Sequence, residues 1–237
     1  MEIECFVMHL HELYSEDVYN EAYAIVPQHG YWKQKLEKIE KFCRKEDKVR
    51  GLGAIVLVYY LMKKNNLLEE SITYNQYGKP FVENCKIQFN VSHSGDYSAC
   101  SFGMGKSGVD IEQINCYDLG IAEHYFDYEE YQAIVKCGQN MFTRIWTMKE
   151  SYIKAIGKGL YIPLDTFCVV PGNINKKVCN DKWAFISKTS YIKDKSEFHF
   201  VEFATDGYNI SVCSKNHIYE EVVMIEIGAI LEYLRRN

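Results

Sequence analysis

Only four prolines punctuate the 237-residue chain, and no tract rich in proline, glycine or serine divides it. Nothing therefore marks a linker, and a long disordered segment is not expected. Nine cysteines, an odd number, are scattered with no Cys-x-x-Cys pair. That pattern argues against a zinc site or a disulfide framework and for reduced, mostly buried thiols, as in a cytoplasmic protein. The longest apolar run, residues 53–62, is too short for a bilayer span and is flanked by Arg50, Lys63 and Lys64, as a core helix would be. The opening "MEIECFVMHLHELY" has no basic region of the secretory kind and is interrupted by Glu and His, so export is not expected. Positive charge is not in excess either: 27 Lys and Arg face 32 Asp and Glu, a net charge of -5. Neither nucleic acid nor membrane is an expected partner, and any anion site must be built locally.

What is present suffices for a sizeable core in one large domain or two small ones. Residues 2–10 read as a first strand. Segment 32–65 carries apolar residues at helical period (Leu36, Ile39, Phe42, Cys43, then Leu52, Ile55, Val56, Tyr59, Tyr60), giving two helices or one bent one. "ITYNQYGKPFV" follows as an extended, turn-containing loop. Three short strands at 88–92, 97–102 and 108–111 read as a small meander. Asp127 opens a helix with Glu130 completing a capping box and Gly138 ending it, and a second helix over 142–156 stops at Gly157. Strands then dominate, at 167–170, at 183–192 and in a hairpin turning at Asp206-Gly207; the stretch 222–233 starts as strand and ends as helix. This α+β pattern occurs roughly twice. It predicts two similar α/β subdomains, a pseudo-dimer in one chain, over residues 1–107 and 108–237.

The stretch Gly108-Val109-Asp110-Ile111-Glu112 alternates two acids with two β-branched hydrophobes. On a strand, Asp110 and Glu112 share a face about 6 to 7 Å apart, while Val109 and Ile111 enter the core. Two like charges at that spacing repel unless a cation lies between them, and a polar edge strand is the plainer reading of five residues alone. In "FTRIWTMKESYIKAIGKGL", Trp146, Glu150 and Lys154 stand at i, i+4 and i+8, on one helical face. Taken singly, Glu150 and Lys154 are a stabilising pair of about 0.2 to 0.5 kcal/mol, and Trp146 packs the core. Taken together, three carboxylates on two rigid elements make the oxygen-rich, partly open site that Mg2+ accepts when substrate phosphates complete its octahedron. Groups for those phosphates are at hand: Gly78, Lys79 and Pro80 in "YGKP", Ser92 and His93 in "NVSHSG", and a basic patch of Lys35, Lys38 and Arg50. Each of them alone is an ordinary turn or a solvated helix surface.

Read together, "YGKP", "FNVSHSG", "GVDIE" and "WTMKESYIKAIGKGL" closely resemble, in order and spacing, the 4'-phosphopantetheinyl transferase superfamily, and the length and N-terminal half resemble its Sfp type. The family's W-x-x-K-E-x-x-x-K pattern is matched in full by Trp146, Lys149, Glu150 and Lys154. The similarity runs over residues 35–170, and "RKEDKVR" at 44–50 resembles the family's N-terminal helix region. The resemblance implies a monomer of two similar subdomains in which Asp110, Glu112 and Glu150 hold Mg2+, with Mn2+ as an alternative. It also implies coenzyme A contacts from Lys35, Lys38, Arg50, Lys79, Ser92, His93 and Lys154, with Gly78 and Pro80 shaping the loop. Gly51 departs from the pattern, standing where the Sfp type often has a hydroxyl residue. The implied reaction moves the 4'-phosphopantetheine arm of coenzyme A to a serine of an apo acyl or peptidyl carrier protein and releases 3',5'-ADP. Glu150 is then the general base and Lys154 attends the departing phosphate. Two other readings stay open here: a Mg2+-dependent phosphodiesterase hydrolysing coenzyme A, and a non-catalytic binding protein on the same fold. Carriers of fatty-acid, polyketide and nonribosomal-peptide synthesis are not ranked by the sequence, and segment 113–128 is the expected docking region.

Overall fold

Alternation of side chains along the strands decides how this chain layers. The computed structural model describes residues 2–67, 72–114, 118–173, 177–178, 184–187, 190–193, 195–205 and 207–237. Its first half runs β1 (Ile3–His9), α1 (Glu16–Ile25), α2 (Gly30–Glu40), α3 (Lys45–Lys64), β2 (Ile72–Tyr74), β3 (Pro80–Val82), β4 (Ile87–Ser94), β5 (Tyr97–Met104) and β6 (Ser107–Gln113). The second runs α4 (Leu119–Tyr125), α5 (Tyr128–Cys137), α6 (Gln139–Ile156), β7 (Val169–Val170), β8 (Lys177–Val178), β9 (Ala184–Ser187), β10 (Tyr191–Ile192), β11 (Lys195–Ala204), β12 (Tyr208–Ser214), β13 (Ile218–Ile225) and α7 (Ile227–Arg236). The chain is α+β. Segment 32–65 is two helices, and "ITYNQYGKPFV" closes into the β2–β3 hairpin rather than staying a loop.

One sheet has the order β13-β1-β5-β4; a second has β6-β12-β11-β10-β7, with β9 also on β11 and β8 on β9. In the first sheet Phe6, Met8, Cys100 and Phe102 face a layer of helices α1, α2, α3 and α7. Ile3, Cys5, Val7 and Ala99 turn the other way, onto Val109, Ile111, Val201, Phe203, Ile210 and Val212 of the second sheet. Phe200 and Cys213 then face α6, meeting Ile145, Met148 and Tyr152. The layers are therefore helix, sheet, sheet, helix, with an apolar core in each gap. Each fully buried aliphatic or aromatic side chain contributes about 1.5 to 3 kcal/mol.

Two expectations are revised by strand pairing. β4, β5 and β6 are not a meander: both edges of β5 are taken, by β1 and β4, so β6 leaves the first sheet and pairs with β12. The boundary expected at residues 107 and 108 is crossed from the far end of the chain. β5 covers one edge of β1, and β13 covers the other in parallel, while α7 buries Ile227, Ile230, Leu231 and Leu234 in the first helical layer. The β11–β12 hairpin forms as the sequence predicts, although Asp206 of its turn lies outside the described residues. Among the described residues no helix is long and apolar enough to cross a membrane.

Candidate functional site

The site begins with a glycine. A Cβ at Gly108 would lie 1.9 Å from the Ser151 carbonyl oxygen and 2.5 Å from the Ala155 nitrogen, so only glycine lets α6 close onto β6. That approach brings Lys154 Nζ to 2.6 Å from Asp110 Oδ1 and 3.0 Å from Ser92 Oγ. The Ser92 hydroxyl in turn donates to the same Asp110 oxygen at 2.8 Å. Val109 and Ile111 face the core between the sheets, and Asp110 and Glu112 face outward from it, as alternation requires. Although Asp110 points away from that core, it is only 2% exposed because α6 covers it. Its Oδ2 is buried without a hydrogen-bond partner.

β4 runs alongside β6 and is joined to it through side chains rather than a main-chain ladder. Asn90 Oδ1 accepts from the Val109 nitrogen at 2.9 Å, and Ser94 Oγ accepts from the Gln113 nitrogen at 3.2 Å. Ser94 also donates to Glu112 at 2.8 Å. Burial, joined by the charge of Asp110, pushes the Glu112 carboxyl up to about 7. Glu150 is raised by the same two causes, with Lys154 opposing. Asp110, Glu112 and Glu150 thus sense one another, yet their oxygens do not all come within 4.8 Å. Among the described residues, the group that meets that spacing is Asp127, Glu129 and Cys168, where Asp127 caps α5 and Glu129 pairs with Lys193. The strand site nonetheless fits a hard divalent cation: its donors are all oxygens, and one buried oxygen lacks any partner.

Two clefts meet above this strand. One, of about 320 Å3, is lined by Lys35, Lys38, Gly51, Ser92, His93 and Lys154. The other, of about 280 Å3, is lined by Gly78, Lys79, Pro80, Asn90, Glu150 and Lys154. Lys154 belongs to both. Lys35 lies 5.2 Å from the ring centre of Tyr31 and 5.4 Å from that of Tyr74, and burial lowers its pKa, followed by repulsion from Lys38. Gly51 has a packing reason: a Cβ there would meet Ile39 Cγ2 at 2.5 Å, so α2 and α3 can cross this closely only without a side chain.

Two expected phosphate contacts differ. Arg50 holds Asp47 and lines neither cleft. Lys79 borders the second cleft, but its ammonium is directed to main-chain carbonyls, at 2.9 Å to Ser107 and 3.4 Å to Ala155, with a third bond to Lys154. Asn75 adds a bond from its amide to the Gly157 carbonyl at 2.7 Å. The hairpin therefore clamps the end of α6, because the last carbonyls of a helix have no partners within it.

α6 is held from below by buried ions. Lys149 is 0% exposed and donates to the carbonyls of Leu164 and Phe167 at 2.7 Å each, while pairing with Glu130 at 2.7 Å. Glu130 completes the predicted capping box and also accepts from the Val169 nitrogen at 2.7 Å. Arg144 forms a bidentate pair with Glu202, at 2.9 Å to each oxygen. Asn90 and Ser94 lie within the FNVSHSG motif, but their bonds to β6 were not readable from it, and Arg144 and Glu202 gave no signal, since each acts on an element far away along the chain.

An α+β protein with a lysine- and histidine-lined cleft whose Ser92 and Lys154 bond a buried strand carboxylate has the groups that could hold a phosphorylated molecule beside a hard cation. The chain belongs to the 4'-phosphopantetheinyl transferase superfamily, whose family model matches residues 106–213. It is 33% identical over 210 residues to the 4'-phosphopantetheinyl transferase ffp of Bacillus subtilis, covering 84% of this chain and 88% of that protein. With the 4'-phosphopantetheinyl transferase gsp of Aneurinibacillus migulanus identity is 40% over 144 residues, covering 58% of this chain and 60% of the relative. With the 4'-phosphopantetheinyl transferase Sfp of Bacillus subtilis strain 168 it is 37% over 144 residues, covering 57% and 64% respectively. The matched stretch thus spans somewhat under two thirds of those last two relatives.

Proposed function

We propose that this protein transfers the 4'-phosphopantetheine arm of coenzyme A to a serine hydroxyl of an apo acyl or peptidyl carrier protein, releasing 3',5'-ADP. The observation that carries the reading is the convergence of Lys35, Lys38, Ser92, His93 and Lys154 on one cleft, two of whose lining residues, Ser92 and Lys154, bond Asp110. In this reading the cleft takes the phosphates of coenzyme A, with Lys35 and Lys38 holding them by charge and His93, whose pKa burial lowers, by a hydrogen bond. Asp110, Glu112 and Glu150 would hold Mg2+, or Mn2+ in its stead. When bound, such an ion neutralises a pyrophosphate and favours the charge that gathers on a leaving phosphate. The serine oxygen forms a bond to the β-phosphorus as the bond from that phosphorus to the bridging oxygen breaks. Glu150 takes the serine proton, and Lys154 stabilises the departing phosphate of 3',5'-ADP. Ser92 keeps Lys154 and Asp110 aligned. Gly78 and Pro80 shape the second cleft, and Lys79 acts by clamping α6 rather than by touching phosphate.

A single chain carries both clefts and the acidic strand, which supports a working monomer. The free, buried thiols of Cys5, Cys100, Cys168 and Cys213 support a reducing, cytoplasmic setting. The decisive experiment incubates the full chain with coenzyme A, Mg2+ and an apo carrier domain and weighs the carrier. A mass gain of one phosphopantetheine is expected. Coenzyme A hydrolysed without that gain would mean a phosphodiesterase, and neither outcome a binding protein. Asp110→Ala and Glu150→Ala are each expected to abolish transfer with an unchanged circular dichroism spectrum. A substantial residual rate in both at saturating Mg2+ overturns the site.

The carrier docks on the aromatic edge around α4 and α5, where Tyr125 is 58% and Tyr128 73% exposed and the neighbouring Phe126 packs on Trp146 of the helix that carries Glu150. Residues 115–117 of the expected docking segment lie outside the described residues. Tyr125→Glu should weaken carrier modification and leave coenzyme A affinity unchanged; an unaltered rate with carrier removes this docking edge.

A further inference from the structure

A further cavity is larger than either of the two clefts. It measures about 570 Å3 and shares Lys79 with the second cleft, but none of Asp110, Glu112, Glu150 or Lys154 lines it. Phe81, Cys85, Met104 and Ile156 give it apolar walls, and its charged groups are Lys79, Lys86 and Lys106. Among the described residues no carboxylate lines it, in a chain where 32 acids outnumber 27 bases. The neutral polar groups around it are occupied in holding the walls. Gln88 bonds Val82 nitrogen at 3.1 Å, Val82 oxygen at 2.9 Å and Cys85 oxygen at 2.8 Å; Asn216 donates to the Met104 carbonyl at 2.7 Å. Among the described residues neither Lys86 nor Lys106 forms a salt bridge.

An apolar chamber of this size, with cations and no counter-charge among the described residues, suits a ligand with an apolar body and an anionic end. We propose that the cavity binds an amphipathic organic anion, an alkyl or aryl chain ending in a carboxylate, and that its occupation is felt at the active site through Lys79. The chain lies against Phe81, Met104 and Ile156, and the carboxylate meets Lys106 and Lys86. Burial and the neighbouring Lys106 already lower the Lys79 pKa to about 8, so a nearby anion relieves that ammonium directly. Lys79 also bonds the carbonyls of Ser107, Lys154 and Ala155. An anion that draws Lys79 toward the cavity loosens the last turn of α6, which carries Lys154. Anion and coenzyme A therefore oppose one another. This coupling, unlike the binding itself, rests on the function proposed above.

The test titrates the full chain with octanoate by isothermal calorimetry, against 1-octanol as the uncharged control. Octanoate is expected to saturate one site and to bind at least about tenfold more tightly than 1-octanol. Met104→Trp, which fills the cavity, and the surface double variant Lys86→Glu with Lys106→Glu should each weaken octanoate about tenfold or more. Equal binding of octanoate and 1-octanol, or octanoate binding unchanged in the charge-reversed variant, overturns the proposal whether or not Met104→Trp folds. Saturating octanoate should raise the dissociation constant of coenzyme A at least about threefold in the parent chain. An unchanged constant overturns the coupling. A chain that binds octanoate but no coenzyme A at all overturns the reading of the clefts instead, so the two failures are distinct.

Discussion

Helices α3 and α6 each cover one sheet and are similar in length, 20 and 18 residues, yet they bury different chemistry. From Val49 to Met62, every residue of α3 but Arg50 is buried, and all of those are apolar, tyrosine or glycine. α6 buries Thr143, Arg144, Thr147, Lys149 and Ser151 among its apolar residues. Apolar contacts are non-directional and tolerate small shifts of a helix, whereas bonds from Lys149 and Arg144 to fixed oxygens specify its rotation and its advance along the axis. Glu150 and Lys154 sit on the helix whose position is specified in that way. α3 supplies cohesion, and α6 converts part of its stability into placement.

Breaking one of the buried ion pairs should separate those two roles most sharply. Lys149→Met leaves Glu130 buried and unpaired, and the expected loss is about 3 to 5 kcal/mol. Adding Glu130→Leu should recover much of the stability but not the transfer rate, because the bonds to Leu164 and Phe167 stay absent. Urea unfolding with parallel rate measurements distinguishes the two; full recovery of the rate in the double variant would show that the pair does not position α6. A deletion in the apolar helix should behave in the opposite sense. Leu57→Ala is expected to cost about 2 to 5 kcal/mol through its cavity. The rate per folded molecule should stay the same, and a rate that falls along with stability would make α3 part of the site's alignment.

Those features of the site that are local along the chain were legible in the sequence. The alternation at residues 108–112, the spacing of Trp146, Glu150 and Lys154, the capping box at Asp127 and the stop at Gly157 each follow from periodicity or from one residue's backbone freedom. Gly157 does take the left-handed conformation, with φ 79°. Long-range pairing was not legible. That β6 prefers β12 over its neighbour β5, and that β13 returns to β1, depends on which edges remain free once the other strands have paired. The destination of Lys79 was hidden for the same reason, since a lysine beside a glycine turn serves a phosphate and a carbonyl cluster equally well until the neighbour is known. Helices α1 and α4 were missed, being short segments whose stability comes from the layer they cover.

Lys79 is the one cation of the hairpin that crosses to α6, and it links the two helices' roles. Its ammonium is half-buried, and its pKa in the folded chain is lowered from 10.5 to about 8, chiefly by burial. Below that value both folded and unfolded chains carry the proton, and the folded state bears the whole penalty of burying the charge. Between about 8 and 10.5 the unfolded chain binds more protons than the folded one, so stability should rise with pH, by at most about 1.4 kcal/mol per unit. Lys79→Met removes this titration and, with it, the bonds to the carbonyls of Ser107, Lys154 and Ala155. The difference in stability between parent and Lys79→Met should therefore move in favour of the parent as pH goes from 7 to 9.5, measured as urea midpoints at each pH. A flat difference would mean that the three carbonyls hold the ammonium charged throughout, and that the clamp acts as a fixed ion rather than as a group that burial can discharge.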